Sequence, residues 1–208
     1  MMSMKRFYLL SQIVMAVCVL CGCGDKQSSS VQSFDDVVAS RRSVRDYDAS
    51  KTISQEEVME LIKCAQEAPS WANQQPSKYY VAMSPEKVAA VKDLVGDGNK
   101  RNTAGAPVMI VSTYVKGKSG FFRSNPANEI GDGWGAYDNG LSNAYFILKA
   151  RERGFDTLIM GMRNSDELRK LFAIPEDECI MAVISLGYRA SDPNRPDRKP
   201  VNEVAKFF

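Results

Sequence analysis

The sequence predicts an α+β or α/β sandwich built around one sheet. Three observations predict it. Val108–Val115 and Ile180–Leu186 are largely apolar, β-branched runs of strand length. Apolar residues recur at helical spacing elsewhere, most clearly at Val58, Leu61, Ile62 and Ala65 and again across Ala136–Arg153. Strand and helix patterns interleave along the chain, so helices pack on a sheet. With 208 residues the chain is long enough for one domain with a sizeable core.

The elements follow in order. Ser33 caps a short helix over Phe34–Ser40, with Asp36 placed for a capping box. Asp35 and Asp36 then read as helix-start charges. Ser54 caps a second helix, with Glu57 at its third position, and Pro69 stops it. Residues 69–78 are rich in Pro, Ser, Asn and Gln, hence loop. Lys78–Met83 reads as a strand. Ser84 and Pro85 open a helix to about Leu94. Residues 96–105 read as a loop, Val108–Val115 as a buried strand, and 116–135 as a long Gly- and Asn-rich loop carrying Phe121, Phe122 and Trp134. Ala136–Arg153 is a helix with Leu141, Ala144, Tyr145 and Leu148 on one face, closed by Gly154. Thr157–Met160 is a short strand, Ser165 caps a helix to Phe172, and Ile180–Leu186 is a strand. Pro193, Pro196 and Pro200 keep the tail extended.

The N-terminus reads as an address. Lys5 and Arg6 precede an apolar run from Phe7 to Leu20, shorter than the roughly 20 residues a membrane span needs. The run ends Leu20-Cys21-Gly22-Cys23, which resembles a bacterial lipobox with Cys23 as the lipidated residue; Cys21 is the competitor, but it would put Cys18 where a lipobox prefers an apolar aliphatic residue. Residues 1–22 are then a signal peptide, 23–32 a lipidated cysteine with a polar tether, and 33–208 the folded domain. Removal by an ordinary peptidase, or retention as an anchor helix, is the other reading. Only Lys5-Arg6 precedes the apolar run, with no twin arginine, so export of an unfolded chain is expected.

Composition excludes several chemistries. The chain has 27 Lys and Arg against 25 Asp and Glu. Losing residues 1–22 removes Lys5 and Arg6 and no acid, so the two signs then balance. A nucleic-acid partner is not expected from such a balance. There is no histidine, which removes Ser-His-Asp and Cys-His catalysis and histidine-ligated metals. No CxxC pair exists after residue 23, so no metal site is expected. Cys64 and Cys179 read as buried free thiols, with a disulfide between them the alternative in an oxidising compartment.

Four clusters could carry chemistry. Arg41-Arg42-Ser43-Val44-Arg45 offers three guanidinium groups and a hydroxyl, donors suited to a phosphate. Alone, such a run is more often a solvated face. Ala68–Pro76 contains Ser70, Trp71, Asn73 and Gln75, whose polar groups suit the edge of a polar ring. Met160-Gly161 ends a strand, where a glycine lets backbone approach a ligand. Arg198-Lys199 is a basic pair near the C-terminus.

Together and in this order, RRSVRDY, APSWANQQPS, WGAYDNGLSNAYFILKARERGFDTLIMG, ISLGYR and DRKPVNEV resemble the flavin-dependent nitroreductase family. The resemblance runs from about Ser33 to the C-terminus. It implies an α+β fold with a central mixed sheet flanked by helices, an intertwined homodimer, and FMN at the dimer interface. It implies electron transfer from NAD(P)H, or another donor, through FMN to nitroaromatic, quinone or similar acceptors. Carried over by position, Arg41, Arg42, Ser43 and Arg45 match the segment that contacts FMN. Ser70, Trp71, Asn73 and Gln75 match the loop that comes from the other subunit. Met160 and Gly161 match backbone near the reactive edge of the ring, and Arg198 a late phosphate contact. Trp71 and Ser77 depart from the family pattern, which commonly has a small residue at the first position and an aromatic at the second.

The missing histidine fits this chemistry. A flavin carries the redox step and the protein supplies binding, orientation and electrostatics. No side-chain nucleophile is expected, and Arg45 or a backbone amide is expected near the pyrimidine edge. Asp138 reads as structural, and Trp134, Phe121 and Phe122 as a mobile lid. The competing readings are a membrane-tethered flavin- or ligand-binding lipoprotein without turnover, and the same fold doing dehalogenation, alkene reduction or flavin cleavage. An exported protein faces the periplasm or the exterior, where NAD(P)H is scarce, so its donor is then another molecule.

Overall fold

The computed structural model describes residues 32–208. The expected signal peptide, Cys23 and most of the tether lie outside the described residues. Seven α-helices and six strands follow in the order α1 (Phe34–Ser40), α2 (Gln55–Gln66), β1 (Ser77–Ala82), α3 (Pro85–Asp93), α4 (Asp97–Asn102), β2 (Val108–Val115), β3 (Phe121–Phe122), β4 (Asn125–Pro126), α5 (Gly133–Glu152), β5 (Asp156–Met160), α6 (Ser165–Phe172), β6 (Glu178–Gly187) and α7 (Val201–Val204). No helix among the described residues is long and apolar enough to cross a membrane.

Four strands form one sheet in the order β1-β2-β6-β5, each neighbouring pair antiparallel. A parallel bridge between Ser43 and Thr157 makes the sheet mixed, as expected, and adds the arginine-rich segment along the β5 edge. Side chains alternate across a strand, and this explains the apolar runs. Met109 and Val111 of β2 pack into one core with Val91, Leu168 and Val183. Val108 and Ile110 pack into a second core with Leu61, Phe146, Ile184 and Leu186. Both faces of β2 and β6 are therefore covered, with α2 and α5 on the second side.

The capping signals work as the sequence implies. Ser33 with Asp36, and Ser54 with Glu57, both close capping boxes. Gly154 follows α5 with φ +83°, a conformation that favours glycine. Several boundaries differ. Residues 97–102 form α4 rather than loop. Gly96, Gly98 and Asn99 disguise it, but Asn99 Nδ2 donates to the Val95 carbonyl and Thr103 Oγ1 to the Asn99 carbonyl. The cap of α6 is Asn164, not Ser165, and its side chain accepts the Glu167 N–H. The 116–135 segment holds the β3–β4 hairpin and the first turn of α5. Cys64 and Cys179 are free, and each is half-buried rather than buried.

The face of α5 is the largest surprise. Its buried residues are Gly135, Asp138, Asn139, Ser142, Asn143, Phe146 and Ala150. The polar ones are bonded inward: Ser112 Oγ lies 3.0 Å from Oδ1 of both Asn139 and Asn143, and Asn139 Nδ2 donates to the Thr113 carbonyl at 2.9 Å. The apolar stripe of Leu141, Ala144, Tyr145 and Leu148 points the other way and is only partly covered.

Candidate functional site

The residues singled out from sequence fall into two groups. The first surrounds the β5 edge. Val44 donates its N–H to the Thr157 carbonyl at 3.0 Å, and Val44 itself is buried. This bond lays Arg41–Arg45 along β5, with Ser43 and Arg45 exposed on either side of it. Arg41 lies close enough to Arg42 and Arg198 that its guanidinium is held below its ordinary pKa, chiefly by burial and then by the charges of Arg198 and Arg42. Arg41, Arg42, Arg45 and Arg198 form no salt bridge among the described residues. Arg42 Nε is buried without a hydrogen-bond partner. Unpaired, mutually repelling guanidinium groups with a spare donor are the features of an anion site.

A second layer fixes this cluster, and sequence reasoning missed it. Asp156 opens β5 and is 3% exposed. Its carboxyl accepts Arg151 Nη1 at 3.2 Å and Arg189 Nε at 2.7 Å. Arg151 Nε then donates to Ser40 Oγ at 3.1 Å, and Arg189 Nη2 to the Ser40 carbonyl at 3.2 Å. The two arginines thus pin the end of α1, where the Arg41–Arg45 segment begins. The Asp156 hydrogen bond raises the Arg189 pKa. No local spacing signals this, because Arg189 reaches Asp156 only through the β5–β6 pairing.

Gly161 follows β5 and is exposed, with its carbonyl accepting from Arg163. Met160 is 2% exposed and packs in the core. Its side chain therefore faces no ligand, and only its backbone remains for the expected contact.

The second group is the Ser70–Gln75 loop, which includes a 3-10 turn at Trp71–Asn73. Ala72, Asn73 and Gln75 have φ of 45°, 56° and 47°. Left-handed backbone in non-glycine residues costs about 1–2 kcal/mol each, so the surroundings must enforce this shape. Ser70 Oγ accepts the Gln75 N–H at 2.9 Å, closing the loop on itself. Trp71 donates its N–H to Asp138 Oδ2 at 3.0 Å, and its ring lies 4.7 Å from that of Trp134. A cavity of about 260 Å³ lies beside the loop, lined by Ser70, Gln75, Lys78, Tyr79, Asp138 and Ser142 among others. Trp134 also meets Tyr137 edge-on at 5.6 Å and donates Nε1 to Asn128 Oδ1. It belongs to this wall, whereas Phe121 and Phe122 sit in the β3–β4 hairpin with Phe122 exposed.

The arginine segment and the loop are far apart within one chain. Ser77, just after the loop, is level with Tyr114 on β2, and Thr157 is level with Leu186, hence with Val108. Three strand spacings and the length of β2 between Val108 and Tyr114 separate them by about 25 Å. Asp138 and Arg151 are likewise about 20 Å apart along α5.

Comparison with known proteins gives the family. A profile of the nitroreductase family matches residues 38–188, most of the chain. The chain belongs to the nitroreductase family. Among relatives, it is 23% identical over 203 residues to Bacillus subtilis YdgI, provisionally named an NAD(P)H nitroreductase, covering 84% of this chain and 97% of that one. It is 27% identical over 174 residues to an Archaeoglobus fulgidus protein, provisionally named an NADH dehydrogenase/NAD(P)H nitroreductase, covering 78% and 93%. The nitroreductase fold is also shared with an Exiguobacterium sibiricum protein crystallised in complex with FMN, with a TM-score of 0.75, 22% identity, and 85% and 98% coverage. The enone reductase CLA-ER of a gut-bacterial fatty acid saturation pathway matches with a TM-score of 0.76, 19% identity, and 85% and 99% coverage.

Proposed function

We propose that this chain is an FMN-dependent oxidoreductase that takes electrons from NAD(P)H or a substitute donor and passes them to nitroaromatic, quinone or similar acceptors. The observation that carries this is the convergence of Arg41, Arg42 and Arg198 without an acidic partner. Those residues fit a phosphate, and the polar Ser70–Gln75 loop fits the edge of a flavin ring. The names of the relatives and the FMN in one solved structure support the reading.

When bound, FMN supplies the redox chemistry itself. The residues of the chain do the rest. Arg41, Arg42 and Arg198 hold the phosphate, and Ser43 and Arg45 line the approach to the ring. The backbone of Met160 and Gly161 borders it. Ser70, Trp71, Asn73 and Gln75 present donors and acceptors with an indole wall beside them. No side chain is required as a nucleophile.

The site is completed by a second copy. The arginine segment and the Ser70–Gln75 loop are too far apart in one chain to share one flavin, and the outward apolar stripe of α5 offers a surface for a homodimer. Tyr137 and Tyr145 of α5 are exposed, as are Phe34 and Val38 of α1. Burying them against a twin surface stabilises the pair and brings one copy's arginines to the other copy's loop.

The address at the N-terminus belongs to the same proposal and rests on sequence alone. Lipidation at Cys23 tethers the domain to the cell envelope, facing the periplasm or exterior. The physiological donor is then a reductant available there. Adding NADH or NADPH to oxidised holoprotein without oxygen tests the enzyme reading. Bleaching of the flavin absorbance, then recovery on adding a nitroaromatic or quinone, supports it. Bleaching by a quinol but not by NAD(P)H points to an envelope donor. No reduction by any donor contradicts turnover and leaves a flavin-binding protein.

A further inference from the structure

One face of α5 carries three residues one turn apart, Trp134, Asp138 and Ser142, and together they hold Trp71 and the two flanks of its loop. Ser142 Oγ lies 3.0 Å from the Ala65 carbonyl at the end of α2 and 2.7 Å from the Tyr79 hydroxyl on β1. Asp138 accepts the Trp71 backbone N–H, and Trp134 packs on the Trp71 ring. Residues at i and i+4 share a helix face, so α5 grips Trp71 twice and the flanks of its loop once each. Asp138 is 3% exposed and forms no salt bridge among the described residues. Its Trp71 bond ties the loop that carries the left-handed residues Ala72, Asn73 and Gln75 onto a rigid helix.

We propose that Asp138 is a positioning residue. It sets the conformation of the Ser70–Gln75 loop, and through it the affinity for the flavin, by holding the Trp71 N–H while Trp134 holds the ring. This rests on the flavin reading of the loop. A buried acceptor aimed at one backbone N–H removes the freedom of a strained loop before any ligand arrives, so the loop needs no ordering on binding. It also gives the departure at Trp71 a physical reason: the indole supplies the apolar half of the grip, which a small residue cannot.

The test uses the full chain without FMN, as wild type, Asp138→Ala and Asp138→Asn. Trp71 and Trp134 are the two tryptophans of the chain, so near-ultraviolet circular dichroism reads their mutual packing directly. FMN titration followed by tryptophan quenching gives the affinity. Asp138→Ala is expected to reduce the tryptophan signal and weaken FMN binding about tenfold or more. Asp138→Asn, whose amide oxygen still accepts the N–H, is expected to stay within about threefold of wild type. If Asp138→Ala does not fold, Trp134→Leu removes the other half of the grip and is expected to weaken FMN in the same direction. An unchanged tryptophan signal and affinity in Asp138→Ala overturns the inference alone. Equal losses in Asp138→Ala and Asp138→Asn overturn it too, because they implicate charge rather than the bond. A wild type that binds no FMN overturns the flavin reading, and this inference with it.

Discussion

The N–H of Val44 and the carbonyl of Thr157 are 3.0 Å apart, and this bond places the arginine-rich segment against the β5 edge. It turns a basic run, which by itself reads as a solvated face, into a fixed array beside Arg198. The neighbouring Asp156 takes up Arg151 and Arg189. Arg41, Arg42, Arg45 and Arg198 are left without an acid among the described residues, and that separation of paired from unpaired cations marks the proposed anion site.

Repulsion within the unpaired set predicts an anion response. Burial and the charges of Arg198 and Arg42 lower the Arg41 pKa. A guanidinium stays charged across the working pH range, so this strain gives no pH step near neutrality. It gives a salt-specific one. Phosphate should raise the melting temperature of FMN-free protein more than chloride at equal ionic strength. Arg198→Ala should remove that difference and weaken FMN binding about tenfold or more. Differential scanning fluorimetry and FMN titration check both.

Breaking the paired set should be costly. Asp156 is buried between two arginines, and removing one partner of a buried pair costs about 3–5 kcal/mol. Asp156→Ala is expected to lose that much in urea unfolding and to free Ser40, so FMN affinity falls even where the fold survives. Asp156→Asn, which keeps two acceptor lone pairs, should lose less.

Much of the fold was legible in the sequence because its signals are local. Two capping boxes, Pro85 at the start of α3, Gly154 after α5 and the two apolar strands each carry their own instruction. What was hidden is long-range. The Leu141–Leu148 stripe on α5 looks like a core face, yet the core takes Asp138, Asn139, Ser142 and Asn143 instead. Hydropathy cannot separate a face turned to the core from one left partly on the surface. The candidate residues were visible through their order in the chain. Their division into two groups was visible only through the family resemblance, and the distance between the arginine segment and the loop was not, because it depends on the β1-β2-β6-β5 strand order.

That outward stripe predicts dimer-breaking variants. Ala144→Glu or Leu148→Glu should shift the protein toward monomer in light scattering. FMN affinity should fall with dimer content, although neither residue belongs to the proposed flavin contacts.

Gly135 predicts a steric effect at the root of the loop wall. A Cβ there would lie 2.4 Å from Cδ2 of the Tyr114 ring. Helix propensity alone favours Gly135→Ala by about 1 kcal/mol. Overpacking of this kind costs about 1–3 kcal/mol. A net loss of stability in urea unfolding is expected, and a gain would show that the ring moves aside freely.

Alkaline pH should unfold the domain before it affects the arginines. Burial, partly offset by the Ser142 hydrogen bond, pushes the Tyr79 phenol up to about 12. Burial and then the Glu178 contact do the same for Tyr80, also to about 12. A phenol raised above its usual value of about 10 favours the folded state while neutral. That stability is complete below pH of about 10 and is lost as pH rises toward 12. Tyr79→Phe should flatten part of this decline in a stability–pH series, since the ring keeps its packing on Phe146.

In the proposed site one flavin is shared by two chains, with arginines from one and the Ser70–Gln75 loop from the other. The most direct measurement is size-exclusion chromatography with light scattering and a visible spectrum, on protein supplied with FMN. A shared site gives flavin absorbance that elutes with a dimer, at one FMN per chain. A monomer that carries tightly bound FMN would contradict the shared site, and a colourless dimer would contradict the flavin.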